Sequence, residues 1–157
     1  MNFSHLDKSD ASKMVDVSGK NKTQRFAKAV GSVFMSSPTL DAIENMKISK
    51  GNVIEVARIA GIMAAKRTAF LIPMCHQLNL EYINIDIKLD RNHSAVLLEA
   101  VVKVTEKTGA EMEALVAVAT GALTIYDMCK SVDKSIVIGD IKLMEKDGGK
   151  SGHFIRE

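Results

Sequence analysis

Along residues 111–130, EMEALVAVATGALTIYDMCK, nearly every position is apolar and small, and the charges stand only at the two ends. A helix that is apolar almost all round is a buried one. Glu111 and Glu113 open it and Asp127 and Lys130 close it, the last two three residues apart and so on one helical face. Charges at the ends of a buried rod suggest a site, although Glu residues in a first turn also suit the helix dipole. A second small-residue helix is predicted through VIEVARIAGIMAAKRTAF, residues 53–70, with Asn52 and Glu55 in a capping arrangement at its start and Leu71-Ile72-Pro73 as its stop. Its Ala57, Ala60, Gly61, Ala64 and Ala65 would let it pack closely on the 111–130 helix or on a symmetry mate of it. Gly121 costs that longer helix about 1 kcal/mol relative to Ala, which close packing would offset.

Between these helices the period changes to two. Ile83, Ile85, Ile87 and Leu89 alternate with polar residues, Asp90-Arg91-Asn92-His93 supplies a turn, and Val96, Leu98, Ala100, Val102 and Val104 form the inward face of a second strand. The pair reads as a long antiparallel hairpin. A further strand follows Ser131 through Ile136–Leu143, with Gly139 as a bulge. Nearer the N-terminus, Phe26, Ala29, Val30, Val33 and Phe34 fall at helical spacing and predict a helix, with Arg25 and Lys28 off its stripe. Pro38 then begins a short helix, and Met14–Val17 offers a short strand. Helices on one face of an antiparallel sheet make an α+β domain. The expected organisation is an arm over 1–20, one domain over 21–146 and a Gly/Lys-rich tail over 147–157.

Composition narrows the class. The 157 residues suit one domain, and 46% apolar with 25% charged residues is ordinary globular composition. A net charge of +2 does not argue for nucleic acid or a membrane, and 4% aromatics without Trp argue against stacking of single strands. The N-terminus lacks an apolar signal region and no 18-residue apolar run occurs, so the expectation is a cytoplasmic protein. Its two cysteines, Cys75 and Cys129, would stay reduced.

Candidate chemistry is scattered. Gly149-Lys150-Ser151 is no P-loop, because Met144 stands where the first Gly belongs and too few residues follow for a helix. Cys75 and His76 are adjacent in a loop, which suits neither one zinc ion nor a nucleophile–base pair. His5, His93 and His153 lie in unrelated contexts, so no metal site is expected. His76 fits better as a hydrogen-bonding ligand to substrate. Lys20, Lys50, Lys130, Lys146 and Lys150, with Arg25, stand at breaks between elements. Converging cations would suit a polyphosphate, and spacing alone does not show whether they converge.

Four stretches, MVDVSGKNKTQR (14–25), KGNVIEVARIAGIMAAKRTAFLIPMCHQL (50–78), KTGAEMEALVAVATGALTIYDMCKSVDK (107–134) and KDGGKSG (146–152), resemble the molybdenum cofactor biosynthesis protein C family, the cyclic pyranopterin monophosphate synthases. The resemblance covers nearly the whole chain in order. It departs at Gln77, where a Pro is usual, and at Thr120-Gly121, where small Ser/Ala-type residues are usual.

The resemblance implies a ferredoxin-like α+β fold, a homohexamer built as a trimer of dimers, and sites at subunit interfaces. It implies a lyase that converts 3′,8-cyclo-7,8-dihydro-GTP to cyclic pyranopterin monophosphate and releases diphosphate. By position, Asp127 matches the catalytic aspartate, and Lys130, Lys50 and Lys146 are its expected partners in proton transfer. Met74, Cys75, His76, Glu111, Met112, Glu113, Arg25 and Lys20 match substrate-binding positions. No cofactor or metal is implied; Mg²⁺ would come only with the triphosphate. Two rivals are a different nucleotide enzyme on the same scaffold and a non-catalytic, oligomeric nucleotide- or pterin-binding module.

Overall fold

The computed structural model describes residues 11–150 and 152–157; His5 and Ser151 lie outside them. Five strands form one antiparallel sheet in the order β2-β3-β1-β4-β5. They are β1 (Thr23–Phe34), β2 (Tyr82–Asp90), β3 (Ala95–Glu106), β4 (Val137–Asp147) and β5 (Phe154–Ile155). Among the described residues there are four helices, α1 (Ser37–Glu44), α2 (Val53–Ala65), α3 (Thr68–Leu71) and α4 (Glu111–Cys129). α4 packs across β1, β3 and β4, and α2 packs beside it over β2, so the helices cover one face of the sheet. The result is the α+β arrangement that the pattern implies, in the ferredoxin-like form that the resemblance implies.

The hairpin is β2 and β3, paired in unbroken register from Tyr82↔Lys103 to Asp90↔Ala95. Asp90 makes its turn: Oδ1 accepts from Asn92 N at 3.0 Å and His93 N at 3.2 Å, and Oδ2 lies 2.8 Å from His93 Nδ1. α4 is the core helix, with Ala114, Ala117, Val118, Ala122, Ile125 and Cys129 fully buried. It is long and apolar enough to cross a membrane by length and composition, but more than half of it is buried against the sheet and α2. A Cβ on Gly61 would lie 2.7 Å from the Ala117 carbonyl oxygen, and one on Gly121 2.8 Å from Leu98 Cδ2. Small residues thus let α2, α4 and the sheet approach closely, as their spacing suggests. Asn52 caps α2, its Oδ1 accepting from Glu55 N at 3.2 Å.

Three expectations are corrected. Residues 26–34 are not a helix but the middle of β1. The strand lies between β3 and β4, with Ala27, Ala29, Gly31 and Val33 buried and Phe26, Val30 and Phe34 half-buried on the other face. A central strand that carries apolar residues on both faces, here Phe26, Val30 and Phe34 opposite Ala27, Ala29 and Val33, loses clean alternation, and those residues can mimic a helical stripe by chance. Residues 14–17 form no strand; Val15 and Val17 instead line a cavity, and Lys20 N donates to the Val17 carbonyl at 3.0 Å. The helix over 53–70 is two helices, broken at Lys66-Arg67, where Thr68 Oγ1 bonds the Ala65 carbonyl at 3.0 Å.

The sheet also holds the C-terminal region. β4 is bulged where Gly139 is predicted to bulge it, with Asp140 at φ +54° and a register shift opposite Val30–Ser32. β5 folds back on β4, Glu145 against Ile155 and Lys146 against Phe154.

Candidate active site

Two adjoining cavities open at the N-terminus of α4. One, about 280 Å³, is lined by Lys20, Arg25, Lys107, Glu111, Lys146 and Lys150 among others. The other, about 360 Å³, is lined by Val15, Val17, Met74, Cys75, His76, Met112 and Glu113. Lys20, Thr108, Gly109 and Glu111 belong to both. Of the dispersed cations, Lys20, Arg25, Lys146 and Lys150 therefore converge, and Lys50 and Lys130 do not. β1 contributes Arg25, β4 contributes Lys146, and the loops on either side contribute Lys20, Lys107 and Lys150.

The cationic cavity is held by specific contacts. Lys146 Nζ meets Glu111 Oε1 at 2.9 Å. Arg25 is half-buried; its Nε donates to the Glu106 carbonyl at 3.2 Å and its Nη2 to the Lys107 carbonyl at 3.3 Å. These bonds end the β3 strand and fix the guanidinium against the connector to α4. Lys107 Nζ donates to the Ser18 carbonyl at 2.8 Å, and Lys22 Nζ pairs with Glu106 at 2.8 Å, so the N-terminal segment lies over the cavity. No side chain of a preceding residue caps α4, whose N-cap is Ala110. An uncapped helix N-terminus presents backbone N–H groups and a partial positive charge, both favourable to an anion.

The neighbouring cavity is lined by apolar and polar groups, and its most deeply buried carboxyl is that of Glu113. Glu113 is only 3% exposed. Burial pushes its carboxyl up to about 7, with the Glu111 carboxylate adding to the rise. Burial and the Glu113 charge likewise push the Cys75 thiol up. A carboxyl with a pKa near neutrality can hold or give a proton at physiological pH.

Asp127, Lys130 and Lys50 form a separate cluster at the other end of α4. Lys130 Nζ lies 2.6 Å from Asp127 Oδ1, and Lys50 Nζ lies 2.8 Å from Asp127 Oδ2 and 2.8 Å from the Asp127 carbonyl oxygen. Lys50 therefore satisfies both the carboxylate and a free carbonyl at the helix C-terminus. Hydrogen bonds from Lys130 and Lys50 hold the Asp127 carboxyl down to about 2, and Asp127 in turn raises Lys130. The pair is thus driven away from neutrality, the reverse of what a proton-transfer pair needs, in a chain taken by itself. From Glu111 to Asp127 the helix rises by about 24 Å. The single chain therefore brings Lys20, Arg25, Met74, Cys75, His76, Glu111, Met112, Glu113 and Lys146 together, and leaves Lys50, Asp127 and Lys130 apart from them.

Lys107, Thr108 and Gly109 read in the sequence as a connector, yet they line the cavities. Their signal was their position, a basic residue and a Gly immediately before an uncapped helix. Among the described residues, no three His, Cys, Asp or Glu side chains gather as metal ligands do.

Comparison with known proteins agrees with the motifs. The chain is 53% identical over 156 residues to a cyclic pyranopterin monophosphate synthase of Magnetococcus marinus, covering 99% of this chain and 96% of the relative. It is 54% identical over 155 residues to one of Heliobacterium modesticaldum, covering 99% and 98%. A third, of Syntrophomonas wolfei, is 52% identical over 157 residues and is covered in full. The MoaC family model matches residues 14–149, and on these grounds the chain belongs to the MoaC family.

Proposed function

We propose that the chain is a cyclic pyranopterin monophosphate synthase that acts on 3′,8-cyclo-7,8-dihydro-GTP and releases diphosphate in molybdenum cofactor biosynthesis. The observation that carries this reading is the pair of adjoining cavities at the N-terminus of α4, one rich in cations and one that joins Met74, Met112 and Leu78 to His76 and the buried Glu113 carboxyl, sharing Glu111. A nucleotide has the same two ends. Under this reading the purine-derived ring lies against Met74, Cys75, His76, Met112 and Glu113. The phosphates lie against Arg25 and Lys20, with Lys107 and Lys150 close by.

The reaction then has two parts. The ring opens and rearranges by proton transfers, for which Glu113, Asp127, Lys130, Lys50 and Lys146 are the available groups. A sugar hydroxyl then attacks the innermost phosphorus. Its O–P bond forms, the bond from that phosphorus to the bridging oxygen breaks, and diphosphate leaves, its charge met by the cations. The protein needs no resident cofactor for this; Mg²⁺ would travel on the triphosphate. The reaction belongs in the cytoplasm, where nucleotide triphosphates are handled.

Asp127 and its lysines join this chemistry only if a neighbouring chain brings them to the cavities. Leu123, on the same face of α4 as Asp127 and Lys130, is 59% exposed, and α2 also exposes Ile59 and Met63. An apolar surface beside a charged cluster favours cover by a second copy. We therefore propose that each site is shared between chains, in the homohexamer, a trimer of dimers, that the family resemblance implies.

The test is diphosphate release from purified protein given 3′,8-cyclo-7,8-dihydro-GTP, with GTP in parallel. Release from the cyclised nucleotide alone, lost in Lys130→Ala, supports the synthase. Release from GTP would indicate a different nucleotide enzyme, and release from neither by a folded protein would indicate a binding module.

A further inference from the structure

Asp133 is 7% exposed and lies outside the cavities and the Asp127 cluster. Its two carboxylate oxygens face different segments. Oδ1 accepts from Ser135 N at 2.8 Å and Ser135 Oγ at 2.6 Å, within its own loop. Oδ2 accepts from Ser36 N at 2.8 Å and Thr39 Oγ1 at 3.0 Å, at the start of α1. This second pair crosses nearly a hundred residues of chain.

Each segment leads directly to one half of the Asp127 cluster. Downstream of Ser36 and Thr39, α1 continues through a hydrogen-bonded loop (Lys47 N to the Ala42 carbonyl at 2.8 Å, Gly51 N to the Ile48 carbonyl at 3.0 Å) that carries Lys50. Upstream of Asp133, its own N–H and that of Val132 bond the Cys129 carbonyl at 3.1 and 2.9 Å, which ties it to the end of α4 that carries Asp127 and Lys130. The Lys50–Asp127 contact closes the ring on the far side. Cys129, whose carbonyl accepts both the Val132 and the Asp133 bonds, is fully buried.

Which side of this ring sets the geometry follows from exposure. The Lys50 and Asp127 side chains are 44% and 55% exposed, and an exposed ion pair does little to fix its own geometry. Asp133 is buried and fully hydrogen-bonded, and bonds to a buried charge are among the strongest a fold has. We propose that Asp133 is a positioning residue, the buried tie that holds Lys50 in register with Asp127 and Lys130. It touches none of the reacting atoms. The inference rests on the reading that this cluster serves the active site.

Two readouts separate positioning from mere stability: the split between kcat and KM for 3′,8-cyclo-7,8-dihydro-GTP, and the titration midpoint of the Asp127 carboxyl followed by carbon-13 NMR. Lys50 and Lys130 are the charged groups facing Asp127. Asp133→Asn keeps the shape but sets an amide N–H₂ against donors. It should lower kcat by roughly tenfold to a hundredfold with KM little changed, and move the Asp127 midpoint up from about 2 toward 3.8. Thr39→Val, which removes one crossing bond, should move both in the same direction by less and serves if Asp133→Asn does not fold. Ser135→Ala, which removes a bond internal to the loop, should move neither. An unchanged midpoint and kcat in folded Asp133→Asn or Thr39→Val, or an equal loss in Ser135→Ala, would overturn the inference. Full activity in Asp127→Asn would instead remove the cluster from the mechanism, leaving the midpoint test of Asp133 still readable.

Discussion

Glu111 and Asp127 stand on one helix, sixteen residues apart, which at 1.5 Å of rise per residue separates them by about 24 Å. Each ends in a lysine ion pair, Glu111 with Lys146 at 2.9 Å and Asp127 with Lys130 at 2.6 Å. A substrate no longer than a nucleotide triphosphate cannot have both pairs working on one reacting bond within a single chain. Under the function proposed above, the helix would serve two sites, with its N-terminus in one and its C-terminus in another.

Glu113 makes stability depend on pH. Its folded pKa of about 7 lies above the ordinary 4.5, so the folded chain holds a proton that the unfolded chain has already lost between those values. The stabilisation from the neutral carboxyl is complete below about pH 4.5 and is lost as pH rises through about 7, at most about 3 kcal/mol. Denaturant titrations of the wild type and Glu113→Gln across pH 4.5–8 check this. The wild type should lose stability relative to the Gln variant as pH rises.

Gly109 sets the direction of the Glu111 side chain. A Cβ there would collide with the Glu111 carboxylate, the end of a flexible side chain rather than backbone. Gly109→Ala should fold with a change in stability within about 1 kcal/mol, while the carboxylate turns away from Lys146. Turnover should fall by roughly tenfold or more, as misplaced polar groups cost rate rather than fold. Steady-state kinetics alongside a thermal melt separates the two effects.

Gly61 tests the close packing of α2 on α4. A Cβ would press on the Ala117 carbonyl oxygen at 2.7 Å and on Ile85 Cδ1 at 2.5 Å. Backbone cannot yield as a side chain can. Gly61→Ala should therefore destabilise by about 1–3 kcal/mol, despite the better helix propensity of Ala. A gain in stability on chemical denaturation would mean that the helices have room to separate.

Much of this arrangement is legible in the residues. The alternation at Ile83–Leu89 and Val96–Val104 marks the hairpin because β2 and β3 each turn one face to the helices and the other outward. The small apolar run of α4 and the Asn52 cap of α2 are local signals that tertiary structure left intact. β1 was not legible. It carries apolar residues on both faces, and a helical stripe and such a strand look alike over nine residues. The convergence of Lys20, Arg25, Lys107 and Lys146 was not legible either, since it depends on strand order β3-β1-β4 bringing three distant segments to one sheet end. Nor does spacing show that Asp127 and Glu111 fall to different sites until the helix between them is known to be continuous.

Sharing of the site between chains is tested most directly by complementation. Asp127→Asn damages only the cluster at the C-terminus of α4, and Lys146→Ala only the cavity at its N-terminus. Each variant alone should release no diphosphate from 3′,8-cyclo-7,8-dihydro-GTP. Coexpressed and purified as mixed oligomers, they should recover about a quarter of wild-type activity, since one site in four then pairs two intact halves from different chains. Mixed oligomers, verified by mass spectrometry, that stay as inactive as either variant would show that each chain builds its site alone.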